Sequence, residues 1–487
     1  MKRLANFYAL FLALMGACLA LPLATALIYG ERSSVRAFGI VMAGCLLLGG
    51  AVHLRYREKL SSMEVKPRES YFIVATSWII ASVIGCLPYI LTGSIPGFFG
   101  AFFETCSGFT TTGATVIDDI ESLPRSILLW RSLTQWLGGM GIIVLFVALL
   151  PRFGIKARNI ASAETPGPTV TKLTSRFTGT AQRLYVAYII LTVTLIFFLM
   201  AGRLSFYDAL NHSLTTMATG GFGTYGDSIA HFGSDYVTWV ITCFMFLAGT
   251  NFELFFVAAA GHPLRAFRNE EFRLYLRIIL ISIAAVTASL MLHGGYDSLY
   301  RAVTDSAFQV ITIMTTTGFA TVNFDLWPAF CRMLLVILMV IGGSSSSTAG
   351  GVKVIRVMVL FRMIKREINI KLHGNIVNDV AVGDQKLSTD TMTHIIGFVT
   401  LYVLTLSAGT LLISLTGQGD PVTNFTAVLS CISNVGPGLD GVGPTCTYSF
   451  YGSFSKFVLS LVMVAGRLEL STFFILFSRF FWDPYRV

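Results

Sequence analysis

Phe102-Phe103-Glu104-Thr105-Cys106-Ser107-Gly108-Phe109-Thr110-Thr111-Thr112-Gly113-Ala114-Thr115 lies between two long apolar stretches, residues 71–91 and 126–150. A helix needs about 20 apolar residues to cross a bilayer. Residues 98–112 are too few and too polar at their end for that. They read as a half-helix that dips in and turns back, an arrangement tolerated where backbone is buried in protein or lines a watery path.

The same succession of long span, half-polar segment and long span returns three times. Unit two has 184–201, 206–220 and 236–260. Unit three has 274–292, 297–317 and an interrupted 329–362. Unit four has 393–415, 421–435 and 454–481. The half-helix ends align as Thr110-Thr111-Thr112-Gly113, Ala218-Thr219-Gly220-Gly221, Thr315-Thr316-Thr317-Gly318 and Ser433-Asn434-Val435-Gly436. A single Thr-Gly string in a membrane protein signifies little, since small residues also serve helix packing. Four at matching places define a repeat. Two further apolar stretches, near 6–28 and 37–54, precede unit one. The expected fold is an all-α polytopic membrane protein of about ten spans. It has four pseudo-symmetric helix–pore-helix–helix units around one pore, preceded by an extra helix pair. Expected boundaries are 1–69, 70–155, 156–262, 263–386 and 387–487.

Composition supports this class. Of 487 residues, 54% are hydrophobic and 13% charged, with mean hydropathy +0.70. Soluble domains carry roughly 25% charged residues, so a soluble enzyme or a disordered regulator is disfavoured. The net charge of +9 would otherwise suggest nucleic acid. Here the basic residues gather in 55–68, 152–183, 265–277 and 353–386, and leave 87–101 and 417–451 poor in them. That is the positive-inside pattern, with both termini cytoplasmic and the half-helices entering from outside. Lys2-Arg3 followed by an apolar run resembles a signal peptide. The run 6–29 exceeds the roughly 7–15 residues of such a core, so a retained first helix is preferred. The eight cysteines form no CxxC pair, and no His/Cys spacing suggests a structural metal.

The repeat points to cation chemistry. A cation leaving water needs replacement oxygens, and four segments around one axis can supply rings of backbone carbonyls. Glycine permits the φ > 0 backbone this requires, and the preceding threonines add hydroxyls. Half-helices descending from outside would point their partly negative C-terminal ends at mid-membrane, favouring a cation. With Phe102–Thr115, the strings Thr317-Gly318-Phe319, Asn434-Val435-Gly436-Pro437 and Gly466-Arg467-Leu468-Glu469 make the chain resemble the Trk/Ktr/HKT superfamily of potassium transporters. The resemblance is closest to the bacterial TrkH-type uptake subunits and covers essentially the whole chain. It implies a K+ selectivity filter with ion-binding residues Thr111, Thr112, Gly113, Thr219, Gly220, Gly221, Thr316, Thr317, Gly318, Asn434, Val435 and Gly436. Some sodium-favouring plant relatives carry serine where Gly113 stands, so Gly113 implies potassium. No organic cofactor is expected.

In unit three the second span breaks at Ile341-Gly342-Gly343-Ser344-Ser345-Ser346-Ser347-Thr348-Ala349-Gly350-Gly351, a run of poor helix propensity. No comparable run interrupts another unit, so a break is expected here alone. The alternatives are a static packing kink and, as the resemblance implies, a gate beneath the filter. The gate residues would be Gly342, Gly343, Ser344, Ser345, Ser346, Ser347, Thr348, Gly350 and Gly351, together with Arg467. A charge inside a span is costly and commonly functional. Arg467 could bond the loop around 344–348, or pair with Glu469. Glu104, Asp208, Asp305, Asp118, Asp119 and Asp440 could draw cations to the outer mouth or brace the half-helices. His212 reads as a scaffold residue.

No P-loop or dinucleotide fingerprint is present. The resemblance implies a homodimer bound to a cytoplasmic nucleotide-binding regulatory subunit, for which 156–183, 353–371 and 372–386 are polar enough to dock. Two other readings compete. A proton- or sodium-coupled symporter needs titratable groups near mid-membrane, and few acids lie there. An intramembrane enzyme needs a catalytic constellation, which the sequence lacks.

Overall fold

The computed structural model of the protein describes residues 2–56, 67–141, 177–293, 295–374, 379–383 and 385–482. Most of the basic stretches 55–68 and 152–183, and the distal part of unit one's second span, lie outside the described residues. Among the described residues the architecture is helical, with one hairpin of two-residue strands pairing Ala381–Val382 with Gln385–Lys386.

The N-terminal pair, Lys2–Cys18 continued by Ala20–Ile28 and then Arg32–Arg55, packs beside unit one. Its turn is tied down by Glu31, whose carboxylate accepts the backbone N–H of Arg125 at 2.7 Å and of Ser126 at 3.2 Å. Unit one comprises Pro67–Thr92, the half-helix Phe98–Phe109 and Arg125–Gly139. Unit two has Phe177–Ala201, Phe206–Ala218 and Asp235–Ala248. Unit three has Glu270–His293, Leu299–Met314 and Ala329–Ile341. Unit four has Thr389–Ser414, Pro421–Ser433 and Ser453–Arg467. Each half-helix stops two or three residues short of its expected end, because the chain leaves the helix through a left-handed Thr or Asn and continues as irregular backbone.

Burial separates the two kinds of helix. From Ala101 to Phe109 every residue of the first half-helix is buried. The long helices bury one side and expose residues such as Ile28, Leu47, Phe197 and Leu411, as lipid-facing spans do. Lipid gives helices no hydrophobic reason to associate, so small residues and hydrogen bonds hold such bundles together. Side-chain caps start several of the helices, Ser234 at Asp235–Ala248 among them. Ser205 Oγ accepts the Asp208 N–H at 3.1 Å, Asp420 that of Thr423 at 3.1 Å and Ser388 that of Thr391 at 3.2 Å.

Among the described residues six helices are long and apolar enough to cross a membrane, or eight if two bent pairs each count once. The other two second spans are Arg125–Gly139, beyond which residues 142–150 lie outside the described residues, and Ala329–Ile341, which stops after 13 residues. The expectation of a break in unit three alone is corrected. Unit two's second span bends 99° between Asp235–Ala248 and Glu253–Ala259, and unit four's bends 119° between Ser453–Arg467 and Leu470–Phe477. The turns there are short, Gly249–Phe252 and Leu468-Glu469, and leave little trace in composition. Their cause is packing, because Gly249 and Gly466 press against Thr315 and the Ile432 carbonyl at the half-helix ends.

Candidate ion pathway

The four half-helices end in one backbone geometry. Thr112, Gly220, Thr317 and Val435 donate their N–H groups to the carbonyls of Ser107, Thr215, Thr312 and Ser430 at 2.8–2.9 Å. The residue before each is left-handed, as in a Schellman-type helix end: Thr111 at φ 56°, Thr219 at 53°, Thr316 at 54° and Asn434 at 56°. The glycine after each is also at positive φ, namely Gly113 at 84°, Gly221 at 79°, Gly318 at 81° and Gly436 at 103°.

The strands meet in a closed ring. A Cβ on Gly113 would lie 2.2 Å from the Gly220 carbonyl oxygen. One on Gly221 would lie 2.1 Å from that of Thr317, and one on Gly318 2.1 Å from that of Val435. One on Gly436 would lie 2.7 Å from that of Thr112, closing the circle. All four glycines also line one open depression of about 120 Å³, with Thr115 and Asp118.

Hydroxyls brace this backbone. Thr110 and Thr112 pair through their Oγ1 atoms at 2.8 Å, as do Thr315 and Thr317. Asn434 Nδ2 donates to Thr112 Oγ1 at 3.0 Å and to the Met463 carbonyl at 3.1 Å. Tyr402 and Ser433 share a hydrogen bond of 2.6 Å.

The acids do not act alike. Glu104 is fully buried and pairs with Arg131 Nε at 2.9 Å. It also accepts the Val116 N–H at 2.9 Å and the Thr115 hydroxyl at 3.0 Å. Arg131 continues to the Gly223 carbonyl at 3.2 Å and lies 4.2 Å over the Phe222 ring. Glu104 is therefore a brace behind strands one and two, and not a mouth charge. Sequence reasoning passed over Arg131, although a charge in a span was a signal as visible there as at Arg467. Asp305 is held by Tyr296 at 3.0 Å, and Asp208 by Ser205 at 2.7 Å. Asp118 lines the mouth and accepts from the Thr447 hydroxyl. Asp119 accepts the Ser122 N–H at 3.3 Å. Asp440, largely exposed, has its carboxyl pushed up by desolvation and by neighbouring Asp325 and Asp420. His212 is buried, with Nδ1 2.9 Å from the Asp208 carbonyl and its ring edge-on to Phe232. Among the described residues no cluster of His, Cys, Asp or Glu could hold a metal ion.

Beneath the strands lies the loop between Ala329–Ile341 and Val354–His373. Its neck is glycine on glycine. Gly342 and Gly351 have φ 72° and 76°, and a Cβ on Gly351 would lie 2.7 Å from the Gly342 Cα. Its far side touches the strands. The Gly350 N–H donates to Thr316 Oγ1 at 2.7 Å, and a Cβ on Gly350 would sit 2.1 Å from the Ser433 carbonyl oxygen. Ser344 N–H reaches the Gly249 carbonyl at 3.0 Å, and Phe252 N–H reaches that of Ser346 at 3.1 Å. Glu271 accepts both the N–H and the hydroxyl of Ser345 at 2.6 Å. Ser347 Oγ donates to the Ser344 carbonyl at 2.6 Å. The Gly343 carbonyl accepts the Val354 N–H at 3.0 Å. Lys353, buried, donates its ammonium to the Ala349 carbonyl.

Arg467 joins this loop to unit one. Its Nη1 donates to the Thr348 carbonyl at 2.8 Å, and Nη2 to those of Gly138 at 2.8 Å and Gly139 at 2.5 Å. Of the two partners expected for Arg467, the loop is thus in contact. Glu469 takes Arg356 Nη2 at 2.5 Å, and that guanidinium lies 3.8 Å over the Phe398 ring.

The sequence profile of the TrkH family, described as a cation transport protein, matches residues 36–483. The Trk system potassium uptake protein TrkH of Salmonella typhimurium is 35% identical over 485 residues, 99% of each chain. The Trk system potassium uptake protein TrkG of Escherichia coli K12 is 33% identical over 465 residues, 95% of this chain and 94% of its own. The crystal structure of the potassium transporter TrkH from Vibrio parahaemolyticus superposes with a TM-score of 0.88 at 32% identity, covering 99% of this chain and 100% of that one.

Proposed function

The chain belongs to the TrkH family of cation transport proteins, and we propose that it takes up potassium across the cytoplasmic membrane through a channel-like pore. The observation that carries this is the closed ring of four glycines, each against the carbonyl of the next strand. Backbone oxygens converging from four segments can replace a hydration shell. Thr111, Thr112, Gly113, Thr219, Gly220, Gly221, Thr316, Thr317, Gly318, Asn434, Val435 and Gly436 form the filter in this reading. The pore units run over 70–155, 156–262, 263–386 and 387–487, after the helix pair of 1–69.

The 342–351 loop is the gate, held shut by Arg467. Its support is position, since the loop lies against Thr316 and Ser433 directly under the strands. Opening requires the Thr348–Arg467 and Ser345–Glu271 contacts to break. Both termini face the cytoplasm. A homodimer bound to a nucleotide-binding regulatory subunit supplies control. Exposed Phe361, Ile364, Ile368 and Leu372 along Val354–His373, interspersed with Lys365 and Lys371, support a protein partner there.

The test is reconstitution in proteoliposomes. Rubidium or potassium flux well above sodium flux, with a reversal potential indifferent to pH, is the expected result. A reversal potential that tracks the proton gradient would replace the channel by a coupled symporter. Absence of alkali-cation flux with the regulatory partner bound would end the reading.

A further inference from the structure

Strand two lacks what the other strands use to hold their shape. Strands one and three pair a threonine two residues before the glycine's neighbour with that neighbour itself, Thr110 with Thr112 and Thr315 with Thr317. Strand four uses the Asn434 amide. Strand two has Ala218 and Gly220 at the paired places, and so neither hydroxyl. The vacant volume is filled from another unit. Gln135, fully buried on Arg125–Gly139, lies where a side chain at 220 would go. A Cβ on Gly220 would fall 2.4 Å from both Cδ and Oε1 of Gln135. Gln135 Nε2 donates to the Gly220 carbonyl at 2.6 Å, and Oε1 accepts the Phe222 N–H at 3.1 Å. One amide thus grips the backbone on both sides of Gly221.

We propose that Gln135 is the positioning residue of strand two, standing in for the absent threonine pair, and that cation discrimination depends on it. The inference rests on the filter reading above. Gripping both groups needs a donor and an acceptor on one side chain of this reach, and a primary amide has both. Glutamate would keep the acceptor for Phe222 and set a second oxygen against the Gly220 carbonyl. Methionine would fill the volume and bond neither. The same carbonyl is the one that Gly113 packs against, so a shift there also loosens the contact between strands one and two.

The experiment uses the full chain in proteoliposomes, with rubidium and sodium influx measured side by side. Gln135→Met and Gln135→Glu should lower the rubidium-to-sodium ratio about tenfold, the scale of one lost buried hydrogen bond with an orphaned partner. Gly113→Ser serves as the filter control and should shift the ratio too. Gly220→Ala should impair transport by collision with Gln135, and Gln135→Ala should relieve it, so that the double variant outperforms Gly220→Ala alone. A wild-type ratio in Gln135→Met, with Gly113→Ser shifted, overturns the proposal and leaves the filter standing. A wild-type ratio in both variants overturns the filter reading and this inference with it. Should Gln135→Met fail to fold, Gln135→Glu decides, and a wild-type ratio there with Gly113→Ser shifted overturns the proposal.

Discussion

Threonine is a poor occupant of left-handed backbone, where β-branched side chains are genuine outliers. Yet Thr111, Thr219 and Thr316 all adopt it. Such strain costs about 1–3 kcal/mol per residue and persists where surrounding structure over-determines it. Here the determinants are the helix-end hydrogen bonds on one side and the neighbouring strand on the other. Thr316 shows a return for the strain, because its hydroxyl accepts the Gly350 N–H of the loop below. The Glu104–Arg131 pair makes a second residue-scale case. Both groups are buried, and Glu104 has additional hydrogen bonds to backbone and hydroxyl. Breaking a buried pair from one side strands a charge and costs about 3–5 kcal/mol. Glu104→Gln should therefore lower the thermal midpoint of the detergent-solubilised protein by several degrees. Glu104→Gln/Arg131→Gln should lie closer to wild type, and equal losses in the two would refute a charge-pairing role. The four glycines were legible in the sequence because they recur. The ion pair was not, because its partners sit 27 positions apart on different helices and no periodicity links them.

At the scale of elements, the half-helices and long spans followed from length and hydropathy, since lipid forces every span to satisfy its own backbone. The breaks in units two and four did not. They are made by two- to four-residue turns fixed by tertiary packing, and helix propensity reports only the long Gly/Ser run of unit three. What these breaks do is bring loop carbonyls and helix ends to one depth, where Arg467 bonds Thr348, Gly138 and Gly139 together. Two anchors thus restrain the loop from opposite sides, Arg467 at Thr348 and Glu271 at Ser345. A charge-assisted hydrogen bond contributes about 1.5–3 kcal/mol. Arg467→Ala should raise cation flux roughly tenfold by shifting the loop toward open. Glu271→Ala should also raise it, since the Ser345 N–H and hydroxyl lose their acceptor. Patch recording at equal protein density reads both. If flux in Arg467→Ala equals wild type, the arginine is not a latch.

In the proposed reading, one polypeptide does with four unlike strands what a symmetric assembly does with four like ones. Unlikeness lets each unit take a separate duty. Unit one supplies Gln135 and Arg131 to brace its neighbour, unit three supplies the loop, and unit four supplies the arginine that holds it. The ring itself is shared, so no strand can be altered alone. That yields a graded expectation. A Cβ at Gly113, Gly221 or Gly318 would come within 2.1–2.2 Å of the next strand's carbonyl oxygen, while at Gly436 the distance is 2.7 Å. Every one of these separations is below contact distance, and every position has positive φ, which a Cβ resists. Alanine at any of the four should therefore depress potassium flux, and Gly436→Ala should retain the most, because the smallest displacement relieves it. Rubidium uptake by the four single variants in one vesicle preparation would rank them. If one position tolerates alanine with full flux and selectivity, that strand lies off the common axis. Equal abolition at all four would instead mean that backbone conformation governs the ring and that the spacing between strands does not.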